Sequence, residues 1–153
     1  MAPPAQGAAD PPIFFQNGRD FLCLQPDPAN FWSQGAAIVQ MPCNGTAAQG
    51  WNPLPESNGR YRFQSVATAL CLDAAGGATN GTPIIQWPCN SISNEKWTVV
   101  GAAPGEGDLI RSAVSGTSSH CMDVIGQSHA PGVAVELQRC DRLRMQGWFR
   151  VRP

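Results

Sequence analysis

The chain has 153 residues, a length that suits one domain with a core of its own. Charged residues make up only 14% of it and the formal net charge is -1, which excludes the basic surface of a general nucleic-acid or heparin binder. With 16 Gly, 14 Pro and no long stretch of apolar residues at helical spacing, a helical protein is excluded as well, and an all-β class of short strands and many turns is expected.

Residues 1–12, MAPPAQGAADPP, show no periodicity and are expected to form a flexible or extended arm. They have neither a basic n-region nor an apolar h-region, so they are not a signal peptide. No run in the chain approaches the ~20 apolar residues of a membrane span. After the arm, strands are predicted near 12–16, 20–25, 36–42 and 50–54, with Pro26, Asp27 and Pro28 forcing a loop after the second. Four more are predicted near 61–67, 70–74, 83–89 and 96–100, and a last four near 108–114, 120–125, 132–140 and 147–152. Cys23, Cys71 and Cys121 head matching segments that Trp51, Trp97 and Trp148 close, a repeat of about 50 residues. The repeats run over about 13–57, 58–104 and 105–153 of a single domain, 13–153. Three units are too few for a propeller and fit three four-stranded units closing on each other. Ile38, Ile84 and Val135 occupy the same place in each and should face a shared core, as should the closing tryptophans.

The six cysteines, Cys23, Cys43, Cys71, Cys89, Cys121 and Cys140, include no Cys-x-x-Cys and have no His at ligand spacing, so no metal site and no cofactor is expected. Fifteen pairings are open on paper. Three pairs separated by 20, 18 and 19 positions favour one bridge inside each repeat, the alternative being six reduced, buried thiols. Bridges imply an oxidising compartment, and the expectation is a mature secreted protein whose signal has been removed. One Lys against nine Arg, with much Ala, Gly and Pro, points to a GC-rich bacterial genome.

The stretch LCLDAAGGATNGTPIIQWPCNSISNEKW, residues 70–97, carries the chemistry. Cys71 and Asp73 share one face of a strand, and Ile85, Trp87 and Cys89 share one face of the next. A bond between Cys71 and Cys89 would fix Asp73 beside Trp87. An acidic acceptor next to a flat aromatic, with the Asn94 amide close by, suits a sugar: a pair of hydroxyls donates to the carboxylate while the apolar face of the ring lies on the indole.

The Cys-Leu-Asp run, the Gln-Trp-x-Cys run, the closing Asn-x-x-Trp, and Gln-x-Trp at Gln49-Gly50-Trp51 and Gln146-Gly147-Trp148 together resemble ricin B-type lectins. The resemblance covers nearly all of the chain after residue 12. It implies a β-trefoil with three internal repeats and pseudo-threefold symmetry, in which the closing Trp residues are core. It also implies a non-catalytic, carbohydrate-binding function directed to galactose-type sugars, with Asp73, Trp87 and Asn94 as the site, assisted by the loop between Gly76 and Thr82. Two positions depart from the family's pattern: Ile85 stands where many members have Gln, and Glu95 replaces the Gln of the closing motif.

Only the second repeat keeps the full set. At the matching places the first has Gln25, Met41 and Ala48, and the third has Asp123, Gln138 and Met145. The first is expected to be structural, and Asp123 marks a weaker, degenerate site. The bland reading of Asp73 is a turn residue satisfying backbone N–H groups. His120 and His129 show no nucleophile pattern, and no second carboxylate pairs with Asp73 or Glu95 as a glycosidase needs, so an enzyme is not expected. Arg139, Arg142, Arg144, Arg150 and Arg152 are expected to form a solvated surface paired with Glu136 and Asp141. Glycans are the expected partners, bound with the help of homo-oligomers or arrayed ligands. The competing reading is a receptor-targeting or scaffold subunit that holds a protein partner in a bacterial toxin-like complex through Phe31 and Trp32.

Overall fold

The computed structural model describes residues 11–101, 105–114, 119–141 and 145–152. The expected arm therefore lies outside the described residues except for Pro11 and Pro12, as do Arg142 and Arg144.

Each predicted strand has a counterpart. The first repeat contributes β1 (Phe14–Asn17), β2 (Cys23–Pro26), β3 (Ile38–Met41) and β4 (Trp51–Pro55). The second contributes β5 (Arg60–Ser65), β6 (Cys71–Ala74), β7 (Ile84–Trp87) and β8 (Trp97–Val100), and the third β9 (Leu109–Ser112), β10 (His120–Val124), β11 (Val135–Arg139) and β12 (Trp148–Val151). The third strand of each repeat is shorter than the alternation suggested. Pro42 and Pro88 follow β3 and β7 directly, and a proline has no N–H for the ladder.

The strands sort into two layers. Strands β12 and β1, β4 and β5, and β8 and β9 form antiparallel pairs. These are joined into a closed barrel by β5 with β8 and by bridges Ile13–Trp51 and Asp108–Trp148. The hairpins β2–β3, β6–β7 and β10–β11 cap one end and touch each other at Ala37–Ile85, Val39–Ala134 and Pro83–Glu136. Closure leaves the barrel without an open edge. This is a β-trefoil.

The core lies where barrel meets cap. Ile38, Ile84 and Val135 enter it from the cap strands, and Phe15, Phe63 and Ile110 from the barrel. Trp51, Trp97 and Trp148 are fully buried, and each indole Nε1–H donates to a cap-hairpin carbonyl: Leu24 O at 3.2 Å, Leu72 O at 3.2 Å and Met122 O at 3.1 Å. A buried indole needs such an acceptor, and here it also ties cap to barrel. Disulfides Cys23–Cys43, Cys71–Cys89 and Cys121–Cys140 then lock each hairpin, one bridge per repeat.

The middle residue of the closing motif differs between repeats for a local reason. A Cβ on Gly147 would collide with the backbone carbonyl of Glu106, whereas one on Gly50 would meet the movable Val66 side chain at 3.0 Å. In the second repeat the same place is taken by the partly exposed Lys96. Gly147→Ala is expected to destabilise the fold by about 1–3 kcal/mol, since backbone rather than a side chain must give way. A thermal melt beside Gly50→Ala checks this, and equal shifts for the two would contradict it.

Candidate functional site

In the β6–β7 hairpin Cys71 faces Trp87 and Asp73 faces Ile85. Opposite residues of an antiparallel pair lie on one face, so Asp73 and Trp87 are diagonal neighbours there, roughly 7–8 Å apart in such geometry. The Cys71–Cys89 bridge anchors the end of the hairpin just beyond Trp87. Pro88 stops β7, and the Asn90 side chain folds the following chain by accepting from Ile92 N–H at 2.8 Å. A single 3-10 turn, Ser93–Glu95, then brings Asn94 back toward Asp73 and turns Glu95 beneath it.

The result is a hollow of about 260 Å³ lined by Asp73, Trp87 and Asn94 together with Ile85, Asn90 and Ile92, and continuing to Ala75 and Gly76. The residues singled out in the sequence thus share one concavity, and Gly76 brings in the edge of the expected loop. Trp87 is 42% exposed, which leaves indole surface free for stacking, while Asp73 is 6% exposed at the bottom. Ile92, 59% exposed at the rim, was not foreseen. Its place depends on the Asn90 turn rather than on strand alternation.

Glu95 is fully buried. Its Oε1 accepts from Asn90 N–H at 2.7 Å, and the carboxyl is hydrogen-bonded to Asp73. Burial is the main cause that pushes Glu95 up to about 8, with the bond to Asp73 and its charge adding to the rise. Burial also raises Asp73, against which the hydrogen bond from Glu95 works. One proton between the two carboxyls, carried by Glu95, satisfies both directions. A buried acid bonded directly to its neighbour leaves no room between the two for a water or a glycosidic oxygen, so the pair has no glycosidase geometry.

At the matching places of the other two repeats the polar side chains are buried in hydrogen bonds. Gln25 is buried, accepting from Gln49 Nε2–H at 3.0 Å, and no aromatic stands beside it at Met41. Asp123 is fully buried: its Oδ1 accepts from Val124 N–H and Gln127 Nε2–H, both at 2.7 Å, and its Oδ2 from Gln146 Nε2–H at 3.1 Å. Gln127, whose Oε1 accepts from Met145 N–H at 2.7 Å, bridges the turn after β10 to the start of the closing motif. Nothing in the spacing of the sequence pointed to Gln127.

Other features are more ordinary. Arg150 pairs with Asp108 at 2.8 Å rather than with Glu136, which accepts from Gln138 Nε2–H at 2.7 Å, while Arg142 and Arg144 of the expected cluster lie outside the described residues. The reason is register: Asp108 and Trp148 are bridged across β9 and β12, which brings Asp108 to Arg150. Ser119 Oγ lies 3.0 Å from His120 Nδ1, but burial lowers the His120 pKa, and the charged group that adds to this is Arg139. A catalytic Ser–His pair would need a carboxylate there instead. Among the described residues Cys71, Cys89 and Glu95 form a compact group, but the two sulfurs are bonded to each other and are not thiolate ligands. No described helix is long and apolar enough to cross a membrane.

Similar folds recur in known structures. The designed threefold-symmetric protein ThreeFoil matches with a TM-score of 0.83 at 21% identity, over 93% of this chain and 99% of its own. A ricin B-like lectin of Macrolepiota procera, solved in complex with lactose, matches at 0.78 and 16% identity over 95% and 97%. The cytolethal distending toxin of Haemophilus ducreyi matches at 0.72 and 15% identity over 100% of this chain and 87% of the toxin chain. No curated protein sequence matches at a significant level. The profile of the ricin-type beta-trefoil lectin domain matches residues 13–148, and the chain belongs to that family.

Proposed function

We propose that this protein is a non-catalytic lectin that binds a galactose-type sugar in the second repeat. The observation that carries the proposal is the convergence of Asp73, Trp87 and Asn94 on one hollow. Asp73 accepts from two neighbouring hydroxyls, Asn94 offers both a donor and an acceptor, and the ring's apolar face stacks on Trp87. The Macrolepiota procera lectin, with its lactose, is consistent with a galactoside as the ligand. Ile85 opposite Asp73 makes that part of the hollow apolar, so orientation depends on Asp73 and Asn94.

A single shallow site of this size supports a dissociation constant near ~1 mM, about −4 kcal/mol, and useful avidity comes from oligomers or arrayed glycans. The three disulfides favour an oxidising compartment, and we assign the protein to the exterior of a bacterial cell as part of the same proposal. A glycan array with the oxidised, multimerised protein tests the reading. Binding to terminal galactose-type glycans supports it, and a folded protein that binds no glycan on the array overturns it.

One observation favours a second reading, a protein-binding subunit of a toxin-like complex. Trp32 is 72% exposed beside Phe31, their ring centroids 5.0 Å apart, on a loop held by Gln86 Nε2–H bonds to Phe31 O and Ser33 O at 2.7 and 2.9 Å. The match to the Haemophilus ducreyi toxin is in keeping with it. Trp32→Ala is expected to leave lactose affinity within about twofold, because Trp32 does not line the hollow. A tenfold loss in a lactose titration would instead make Trp32 part of the sugar site.

A further inference from the structure

Each repeat contains a corresponding joint beneath its cap hairpin, and the second copy departs from the other two in having a carboxyl where they have an amide. In the first, Gln49 Nε2–H donates to Gln25 Oε1 at 3.0 Å and to Pro42 O at 2.9 Å, while its Oε1 accepts from Asn44 N–H at 2.9 Å. In the third, Gln146 repeats this: Nε2–H to Asp123 Oδ2 at 3.1 Å and Arg139 O at 2.9 Å, with Oε1 accepting from Asp141 N–H at 2.6 Å. In the second the residue is Glu95. Its Oε1 takes the corresponding bond from Asn90 N–H at 2.7 Å, and Oε2 stands where the other repeats present an NH₂ group.

An amide there donates twice, and an ionised carboxylate cannot donate at all. The structure answers both needs. Asn90 Nδ2–H bonds Pro88 O at 3.3 Å, the carbonyl equivalent to Pro42 O and Arg139 O, and also reaches Glu95 Oε2 at 3.4 Å. The remaining bond, between Glu95 and Asp73, requires a proton on one of the two carboxyls, and the donor's place held by Gln49 and Gln146 in the other repeats falls to Glu95.

We propose that Glu95 is a positioning residue for the sugar site: while it holds a proton it replaces the amide of the other repeats and fixes Asp73 as a charged acceptor, and once it loses that proton binding is lost. The inference rests on the proposed sugar site. Asp73 and Glu95 cannot both stay ionised in contact, so loss of the proton sets two carboxylates against each other at the bottom of the hollow. Asp73 faces Glu95 from β6, and Arg62, on β5, is the cation that acts on it. Arg62 is shared, its Nε 3.3 Å from Glu56, which Lys96 also approaches at 3.8 Å. The Cys71–Cys89 bridge packed against Glu95 does not titrate.

With Glu95 pushed up to about 8, the competent form dominates at neutral pH and disappears in mild alkali. The folded value stands above the ordinary glutamate value of 4.5, so the stability contributed by this proton is fully present below that value and is lost as pH rises through about 8.

The test compares wild type with Glu95→Gln, which installs the amide permanently. Lactose affinity of the wild type should weaken about thirtyfold between roughly pH 6 and pH 9.5, following the shrinking competent fraction, while that of Glu95→Gln should change less than about twofold. Near-ultraviolet circular dichroism at the alkaline end verifies that both remain folded. Equal alkaline losses in the two proteins overturn the proposal. A ligand-free readout stands beside it: by carbon-13 NMR the Glu95 carboxyl should titrate near pH 8, and titration in the ordinary range of about 4–5 overturns it too. If the wild type binds no lactose near pH 6, the sugar-site reading fails, and the NMR titration then judges the Glu95–Asp73 joint separately.

Discussion

Asp73→Ala is expected to abolish lactose binding while the protein stays folded. Hydrogen bonds from hydroxyls to an ionised carboxylate are worth about 1.5–3 kcal/mol each, so losing two removes most of the ~4 kcal/mol that a single weak site provides. Trp87→Ala should do similar damage, because the stacking surface is lost and no other aromatic lines the hollow. The two variants should differ in stability only at alkaline pH. Trp87 is half exposed and leaves little behind. Asp73→Ala also frees Glu95 from a buried neighbour of like charge, so its melting temperature should stay close to that of the wild type or rise above it at alkaline pH. Titration calorimetry and thermal melts on the two variants check both statements. A folded Asp73→Ala protein with unaltered affinity would return Asp73 to the bland role of a turn residue.

These expectations draw unequally on the sequence. The strands were legible because cysteine, tryptophan and aliphatic positions recur in each third of the chain, and a β-strand's period of two turns such recurrence into faces. The same parity brought Asp73 and Trp87 together, and the fixed offset from Trp97 placed Asn94 with them. Side-chain hydrogen bonding has no period. Glu95 reads in sequence as a lost amide, and only the folded joint shows it buried under Asp73 at the place where the other repeats hold that amide. Gln127 was invisible for the same reason: it is a polar residue in a turn until the fold sets it between Asp123 and Met145. The pairing of Arg150 with Asp108 follows from the contact of β9 with β12, which charge spacing along the chain does not encode.

Reduction is expected to have the largest effect on stability. The bridges close loops of 20, 18 and 19 positions, each worth about 3 kcal/mol in the chain-entropy account. Together they contribute about 9 kcal/mol, comparable to the whole net stability of about 5–15 kcal/mol for a domain. The fully reduced chain should therefore be unfolded or only marginally folded near 37 °C, in keeping with the proposed oxidising location. Loss of the second bridge alone, in Cys71→Ala/Cys89→Ala, should lower the melting temperature by about 6–12 °C at 2–4 °C per kcal/mol. Well below that melt the sugar site should survive, because the ladder pairs Cys71–Trp87, Leu72–Gln86, Asp73–Ile85 and Ala74–Ile84 still fix Asp73 against Trp87. The bridge then acts on the lifetime of the hairpin and the ladder on its geometry. Melts with and without reductant, paired with lactose titrations of the double variant at about 20 °C, separate the two contributions. An unchanged melt after complete reduction, verified by mass spectrometry, would show that barrel and cap hold together through the tryptophan joints without the disulfides.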